Sequence, residues 1–369
     1  MSNLKVNTIN DASGGSAAVL YGVASPPNSM GFRNRIINGD MRIDQRNSGA
    51  SINPTDGQFV VDRFAMGVSQ TSKLTAQRSA VAPVGFANSI LVTSSSVYSV
   101  LAGDYFAVNQ SVEGFNVADL GWGTANAQAV TLSFWVRSSL TGTFAGSLRN
   151  SASNRSYPFS YTISAANTWE QKTVTIAGDT AGTWLTDNGA GIRVWFTLGA
   201  GSTYSGTAGA WAAGNFVSAT GATSVVGTNG ATFYITGVQL EAGTVATPFE
   251  RRDYGRELMM CQRYLPAWNG SGPISSGWCA STTTAFAEII LPVAPRVAPT
   301  GITASSSSHF GVYNSGAGLV TTTAVVFNQG SLSSARLNLT VASGLVAGNG
   351  TGFSAQNASA QILFNGCEL

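Results

Sequence analysis

Lysine is nearly missing from this 369-residue chain, which has only Lys5, Lys73 and Lys172, and histidine occurs once, at His309. Charge of either sign is scarce: 19 basic and 17 acidic residues make up 10% of the chain, against about 25% in a typical soluble domain. A net charge of +2 with no basic stripe argues against a nucleic-acid partner, whose recognition leans on many phosphate contacts. No run approaches the ~18 apolar residues of a membrane helix, and the opening MSNLKVNTIN lacks the apolar core of a signal peptide. The expectation is a soluble chain that neither inserts into membranes nor is secreted by its own signal.

Cysteine is equally sparse. Cys261, Cys279 and Cys367 are odd in number and widely spaced, which leaves neither a disulfide framework nor a CxxC zinc site, and they are expected as free, buried thiols. One histidine excludes an HExxH zinc centre and makes any Ser-His-Asp triad depend on His309, whose SSSSHFGVY setting has no GxSxG elbow. No lysine follows a glycine, so a Walker-type phosphate loop is excluded, and no GxGxxG lies between a strand and a helix. A carboxylate pair for glycoside hydrolysis is open in principle to Asp40, Asp44, Asp56, Asp62, Glu170, Asp179 and Asp187, although turn formation accounts for most of these.

Polarity comes instead from 80 serines and threonines, set among 43 glycines. From about residue 34 short alternating apolar runs are separated by Gly, Ser, Asn and Asp clusters, the pattern of a β-sandwich or barrel. In VTLSFWVRS, Leu132, Phe134 and Val136 share one face, while Trp135 and Arg137 take the other; GIRVWFTLG repeats this with Ile192, Val194 and Phe196 against Arg193 and Trp195. The stretch 199–230 is long and rich in Gly, Ala and Ser, a length that marks a candidate functional loop. The only clear helical spacing follows Pro248, where Tyr254, Leu258 and Cys261 recur among seven charges between Glu250 and Arg263.

Beyond Leu265 only Glu288, Arg296, Arg336 and Glu368 carry charge, although strand-like runs continue. Such depletion suits a surface buried against copies of the same chain.

The fold expectation is therefore all-β: a jelly-roll sandwich over 34–248, a helical connector over 249–266 and a second β-sandwich domain over 267–369, after a short segment 1–33. Eight tryptophans, ten tyrosines and 18 phenylalanines stand in this hydroxyl-rich frame. Aromatic faces beside polar donors suit the apolar faces and hydroxyl edges of sugars. Trp135, Arg137, Arg193, Trp195 and Tyr234 would form one platform if their strands are neighbours. Trp122, Trp211, Trp268 and Trp278, in or beside Gly-rich stretches, are further glycan-binding candidates. The alternative for all of them is packing against an N-terminal segment, a loop or another subunit.

Several stretches together resemble the tail-fibre and receptor-binding proteins of tailed bacteriophages, marine and cyanobacterial phages especially. They are LKVNTINDASGG, RNRIINGDMRIDQR with VDRF, LSFWVRSSLTGTF, TWEQKTVTI, GVQLEAGTVATPFERRDYGRELMMCQRY and ILPVAPRVAPTG, in that order over about four-fifths of the chain. The resemblance implies a carbohydrate-binding-module-like jelly roll and an N-terminal segment docked on a tail, baseplate or adaptor protein, with Leu4, Val6 and Ile9 as attachment candidates. It further implies a homotrimer, assembled in the host cytoplasm and carried on the virion, that binds host surface polysaccharide without catalysis. A calcium ion near Asn38 and Asp40 would fit sugar-binding jelly rolls, whereas a metal-free Asx turn explains the same residues; no other cofactor and no catalytic residue is expected. Two other roles stay open: a spacer, adaptor or head-attached fibre that binds no glycan, and a polysaccharide depolymerase.

Overall fold

A computed structural model of the chain describes residues 32–314 and 318–369, with the two short pairs Val19–Leu20 and Val23–Ala24. The attachment candidates Leu4, Val6 and Ile9 lie outside the described residues. What is described is nearly all β, with one α-helix, Tyr254–Gln262.

Residues 59–242 build two antiparallel sheets face to face. The larger runs Ala212–Ala213, Arg155–Ile163, Gly142–Arg149, Ala190–Ala200, Tyr105–Glu113, Phe64–Val68, Phe59–Val61. The smaller runs Glu170–Ile176, Val130–Ser138, Thr232–Ala242, Ser89–Ser94, Leu74–Ser79. Strand alternation decides what lies between them. Leu132, Phe134 and Val136 point inward from one sheet and Ile192, Val194 and Phe196 from the other, all fully buried, and the Phe134 and Phe196 rings meet edge to face at 5.0 Å. Burying each such phenylalanine is worth roughly 2–3 kcal/mol.

The segment after Phe32 belongs to this body through a buried polar junction with the helix. Asp253 caps the helix by accepting from the Arg256 N–H at 2.9 Å, and Glu257 on its inner face accepts from the backbone N–H of Asn38. Arg252 donates to the carbonyls of Ile36 and Asn34. The sequence spacing put Tyr254 on the buried stripe with Cys261, but Tyr254 is 55% exposed, and Glu257 with Cys261 forms the inner face. The Arg252 guanidinium, 3.3 Å from Glu257, compensates its burial, which apolar periodicity does not anticipate.

The Asn38 turn is held by hydrogen bonds and an ion pair within the chain. Asn38 Oδ1 accepts from the Ile43 N–H at 3.0 Å, its amide donates to the Ile43 and Asp62 carbonyls, and Asp40 pairs with Arg42 at 2.9 Å.

Asp62, 1% exposed, accepts from the Gln45 backbone and side chain. Burial outweighs those bonds and pushes its carboxyl up to about 6 from 3.8. Between those values the folded chain holds a proton that the unfolded chain releases, so this contribution is complete below about pH 3.8 and lost as pH rises through about 6. Unfolding free energy is expected to drop by up to ~3 kcal/mol across that window from this group. Burial opposes ionisation of Glu113 too, but bonds from Arg263 and Tyr264 hold its carboxyl below the usual range, so its contribution fades only at lower pH. Urea titrations of wild type and Asp62→Asn between about pH 4 and 7 test this; parallel pH dependences in the two proteins would refute it.

The C-terminal unit also has two packed β layers, but the larger one closes on itself. Gly272–Cys279, Thr284–Ile290, Ser334–Val341, Gly318–Gly330, Phe310–Asn314 and Gly350–Ala355 form a six-stranded barrel, and Ala267–Asn269, Gln361–Asn365 and Gly301–Ala304 form the sheet beside it. Leu337, Leu339 and Val341 fill the barrel, as their alternation predicts, together with Phe310 and Phe353. The three cysteines are free and buried; burial pushes the Cys367 thiol up to about 11 and Cys261 well above its ordinary value.

Candidate functional site

The outer face of the larger sheet carries a trough of about 260 Å³. Its floor follows from register. Trp195 lies opposite Asn109 on one side and Ser147 on the other, and Arg193 lies opposite Ser111 and Arg149. Residues i and i+2 share a face, so Arg193 and Trp195 line up on the outside with Tyr105, Asn109 and Arg149.

Gly67 leaves room for the indole on the sheet, and Gly146 lets the neighbouring strand approach the Trp195 backbone. A Cβ at Gly67 would sit 2.6 Å from the Trp195 ring, and one at Gly146 would sit 2.2 Å from the Trp195 carbonyl oxygen. The stretch 199–230 does more than cross the surface. Gly201 donates to the Asp104 carbonyl, Val217 to the Tyr204 carbonyl and Thr223 to the Thr143 carbonyl, so this segment is pinned over the sheet. It walls the trough with Tyr204, Asn215 and Val217. The Tyr105 ring meets Tyr204 at 5.1 Å and Trp195 at 6.0 Å, both edge to face.

The polar groups are uneven. Arg149, 4% exposed, places its guanidinium 4.1 Å from the Trp195 ring centre and donates to Asn215 Oδ1. Burial, then the charge of Arg193, lowers its pKa to about 10, and burial lowers that of Arg193. The Nε atoms of Arg149 and Arg193 and the Trp195 Nε1 are buried donors without a protein acceptor among the described residues. Asp56 is the one acid lining the trough; it accepts from the Val68 N–H at 3.0 Å and the Tyr105 hydroxyl at 3.2 Å. Burial and then Asp56 raise the pKa of Tyr105.

The single platform expected from the repeated Trp and Arg pairs is divided by the fold, because their strands belong to different sheets and their outer faces point away from each other. Arg137 and Tyr234 are cross-strand partners on the smaller sheet, beside Trp135 opposite Thr236. There Arg137 donates to the Asn167 carbonyl at 2.8 Å and stands 5.0 Å over Tyr234, which meets Trp169 at 5.9 Å. Trp122 and Trp211 sit with Trp184 in a mutual edge-to-face cluster at 4.7 to 5.3 Å. Their indole N–H groups donate to the carbonyls of Gln128 and Ala177 at 2.7 Å each. In the C-terminal unit Trp268 packs on the core, and Trp278, 40% exposed, has Arg336 at 5.1 Å over its ring. His309, in a short turn, meets Ser305 Oγ at 3.1 Å.

Reasoning from sequence located Arg193 and Trp195, marked the 199–230 stretch that carries Tyr204 and Asn215, and weighed Asp56 only as a member of a hydrolytic carboxylate pair, but it passed over Arg149, Tyr105 and Asn109. Alternation in YFAVNQSVE and GTFAGSLR places Tyr105, Asn109 and Arg149 outward. Nothing local says that those strands flank Ala190–Ala200.

No protein-family model matches the chain, and no curated protein matches its sequence. Among solved structures it is similar to the enzymatically active domain of tailspike protein 4 of bacteriophage CBA120 (14% identity, TM-score 0.31, 57% of this chain and 21% of that one). It is also similar to a family 11 carbohydrate-binding module from Clostridium thermocellum in complex with a beta-1,3-1,4-mixed-linked tetrasaccharide (11%, 0.28, 52% and 96%). A third is TmCBM61 in complex with beta-1,4-galactotriose (10%, 0.28, 57% and 99%). The chain thus spans about a fifth of the tailspike structure, and at TM-scores this low none of them says what this chain binds.

Proposed function

We propose that the chain binds glycans without catalysis, through the outer face of the larger sheet, as the receptor-binding part of a phage tail fibre. One observation carries the binding reading: the Trp195 indole lies over Gly67 in a trough where three buried donors, its own Nε1 and the Nε atoms of Arg149 and Arg193, have no protein acceptor among the described residues. An aromatic face matches the C–H face of a sugar, and free N–H groups match its oxygens. The non-catalytic reading is supported by the lining, in which Asp56 is the single acid, whereas glycoside hydrolysis uses two carboxyl groups ~5–9.5 Å apart.

The tail-fibre role, with its virion location, N-terminal docking partner and host polysaccharide, is supported by the ordered sequence resemblance. Homotrimer formation is supported by the charge-poor C-terminal unit, which exposes Trp278, Ile290, Tyr313, Val326, Leu332 and Val346. Light scattering of the purified protein is expected to give the mass of three chains; a clean monomer would overturn the trimer. On an array of bacterial surface polysaccharides the protein is expected to label particular glycans and release no oligosaccharide from them. Released fragments would favour a depolymerase, and failure to label both the array and susceptible cells would favour a spacer.

A further inference from the structure

Ion pairing is otherwise consistent only among the buried arginines, since the half-buried Arg78, Arg137, Arg296 and Arg336 also have no carboxylate within 4.0 Å among the described residues. Arg33, Arg35, Arg42, Arg46, Arg63, Arg155, Arg252 and Arg263 each have a carboxylate within 4.0 Å. Of the three buried arginines, Arg63 and Arg252 are paired, whereas Arg149 has no carboxylate within 4.0 Å among the described residues; its neighbour in register, Arg193, is half-buried and has none either. The titratable groups acting on Arg149 are Arg193, Tyr105 and Tyr204, none of them a carboxylate. Two guanidinium groups side by side repel each other, and burying a charge unpaired is costly. A fold that keeps such a pair on the wall of an open trough, with Nε donors unpartnered, is arranged for an anion from outside.

We infer that the trough takes an acidic saccharide, with the sugar ring against Trp195 and its oxyanion held by Arg149 and Arg193. The inference rests on the glycan-binding reading and adds the charge of the ligand. Guanidinium forks match planar carboxylates in two-point contact and also hold sulfate or phosphate esters. The shared chemistry is therefore an oxyanion on a sugar. Asp56, on the trough lining, has its oxygens engaged by Val68 and Tyr105 and pairs with neither arginine, and Arg149 is held by its bond to Asn215.

The test is an array of acidic bacterial polysaccharides, each printed beside its carboxyl-reduced or desulfated neutral form, followed by titration of the best pair against Trp195→Ala, Arg193→Gln and Arg193→Lys. Arg256→Gln, exposed on the helix, serves as the control. The acidic form is expected to bind at least about 10-fold tighter than the neutral one at low salt. Arg193→Gln should remove that preference with a loss of about 10- to 100-fold, as for a charge-assisted hydrogen bond. Arg193→Lys should keep part of the preference, and added salt should narrow it. Loss of preference on carboxyl reduction identifies a uronate-type carboxylate, and loss on desulfation identifies a sulfate ester. Equal binding of acidic and neutral forms, abolished in Trp195→Ala, would overturn the acidic ligand and leave the glycan site standing. Binding to neither form would overturn both. Should Arg193→Gln fail to fold, equal binding of the acidic and neutral forms by wild type alone still refutes the inference.

Discussion

Trp195→Ala is expected to weaken binding of any glycan held on the larger sheet by about 30- to 1000-fold, the ~2–4 kcal/mol of an aromatic anchor at the centre of a contact. The ring forms the floor of the trough, lies within 4.1 Å of the Arg149 guanidinium and carries a buried N–H without a protein acceptor. Removing it takes away the apolar platform and the surface that positions Arg149. Truncation of a side chain only 9% exposed also costs packing, so binding is to be read on protein whose thermal unfolding remains cooperative. Gly67→Ala gives an independent check with the tryptophan kept. Its new Cβ, 2.6 Å from the indole, forces the ring off the sheet, and a similar loss of affinity is expected. Undiminished binding in a folded Trp195→Ala protein would remove this trough from consideration as the glycan site.

Arg63→Ala is expected to destabilise the chain by about 3–5 kcal/mol, the cost of removing one partner from a buried charged network. Arg63 is 2% exposed and ties three parts of the molecule together. Its guanidinium lies 3.6 Å from the centre of the Tyr264 ring, pairs with the Glu368 carboxylate, and donates to the Ser111 carbonyl at 2.6 Å. Tyr264 in turn donates to Glu113 at 2.6 Å, and Arg263 donates to the same carboxylate at 2.9 Å. The sandwich, the residues after the helix and the C-terminus therefore share one network. Its loss should lower the midpoint of urea unfolding and make the region around residues 263–270 cleavable by protease under native conditions. A midpoint unchanged within error would show that the network adds nothing to stability.

How far the sequence reaches is clearest from single strands. The inward faces of Val130–Ser138 and Ala190–Ala200 are both written in a two-residue period, and the all-β class follows from many such segments between glycine-rich turns. Burial of the cysteines and the single α-helix among the described residues, Tyr254–Gln262, follow from composition and spacing in the same way. The Asn38 turn was readable as an Asx turn or as a metal ligand; the bonds that Asn38 makes to Ile43 and Asp62, and the pair of Asp40 with Arg42, come from the tertiary structure.

By itself, then, the sequence determined which side chains each strand turns outward, because alternation is a property of the local backbone. The tertiary structure alone decided which of them meet. Placing Arg149 beside Arg193, laying Trp195 on Gly67 and sending Trp135 to the opposite face depend on strand order, set by backbone pairing between residues tens of positions apart. Such pairing is selected by how the whole core packs, and no local pattern encodes it.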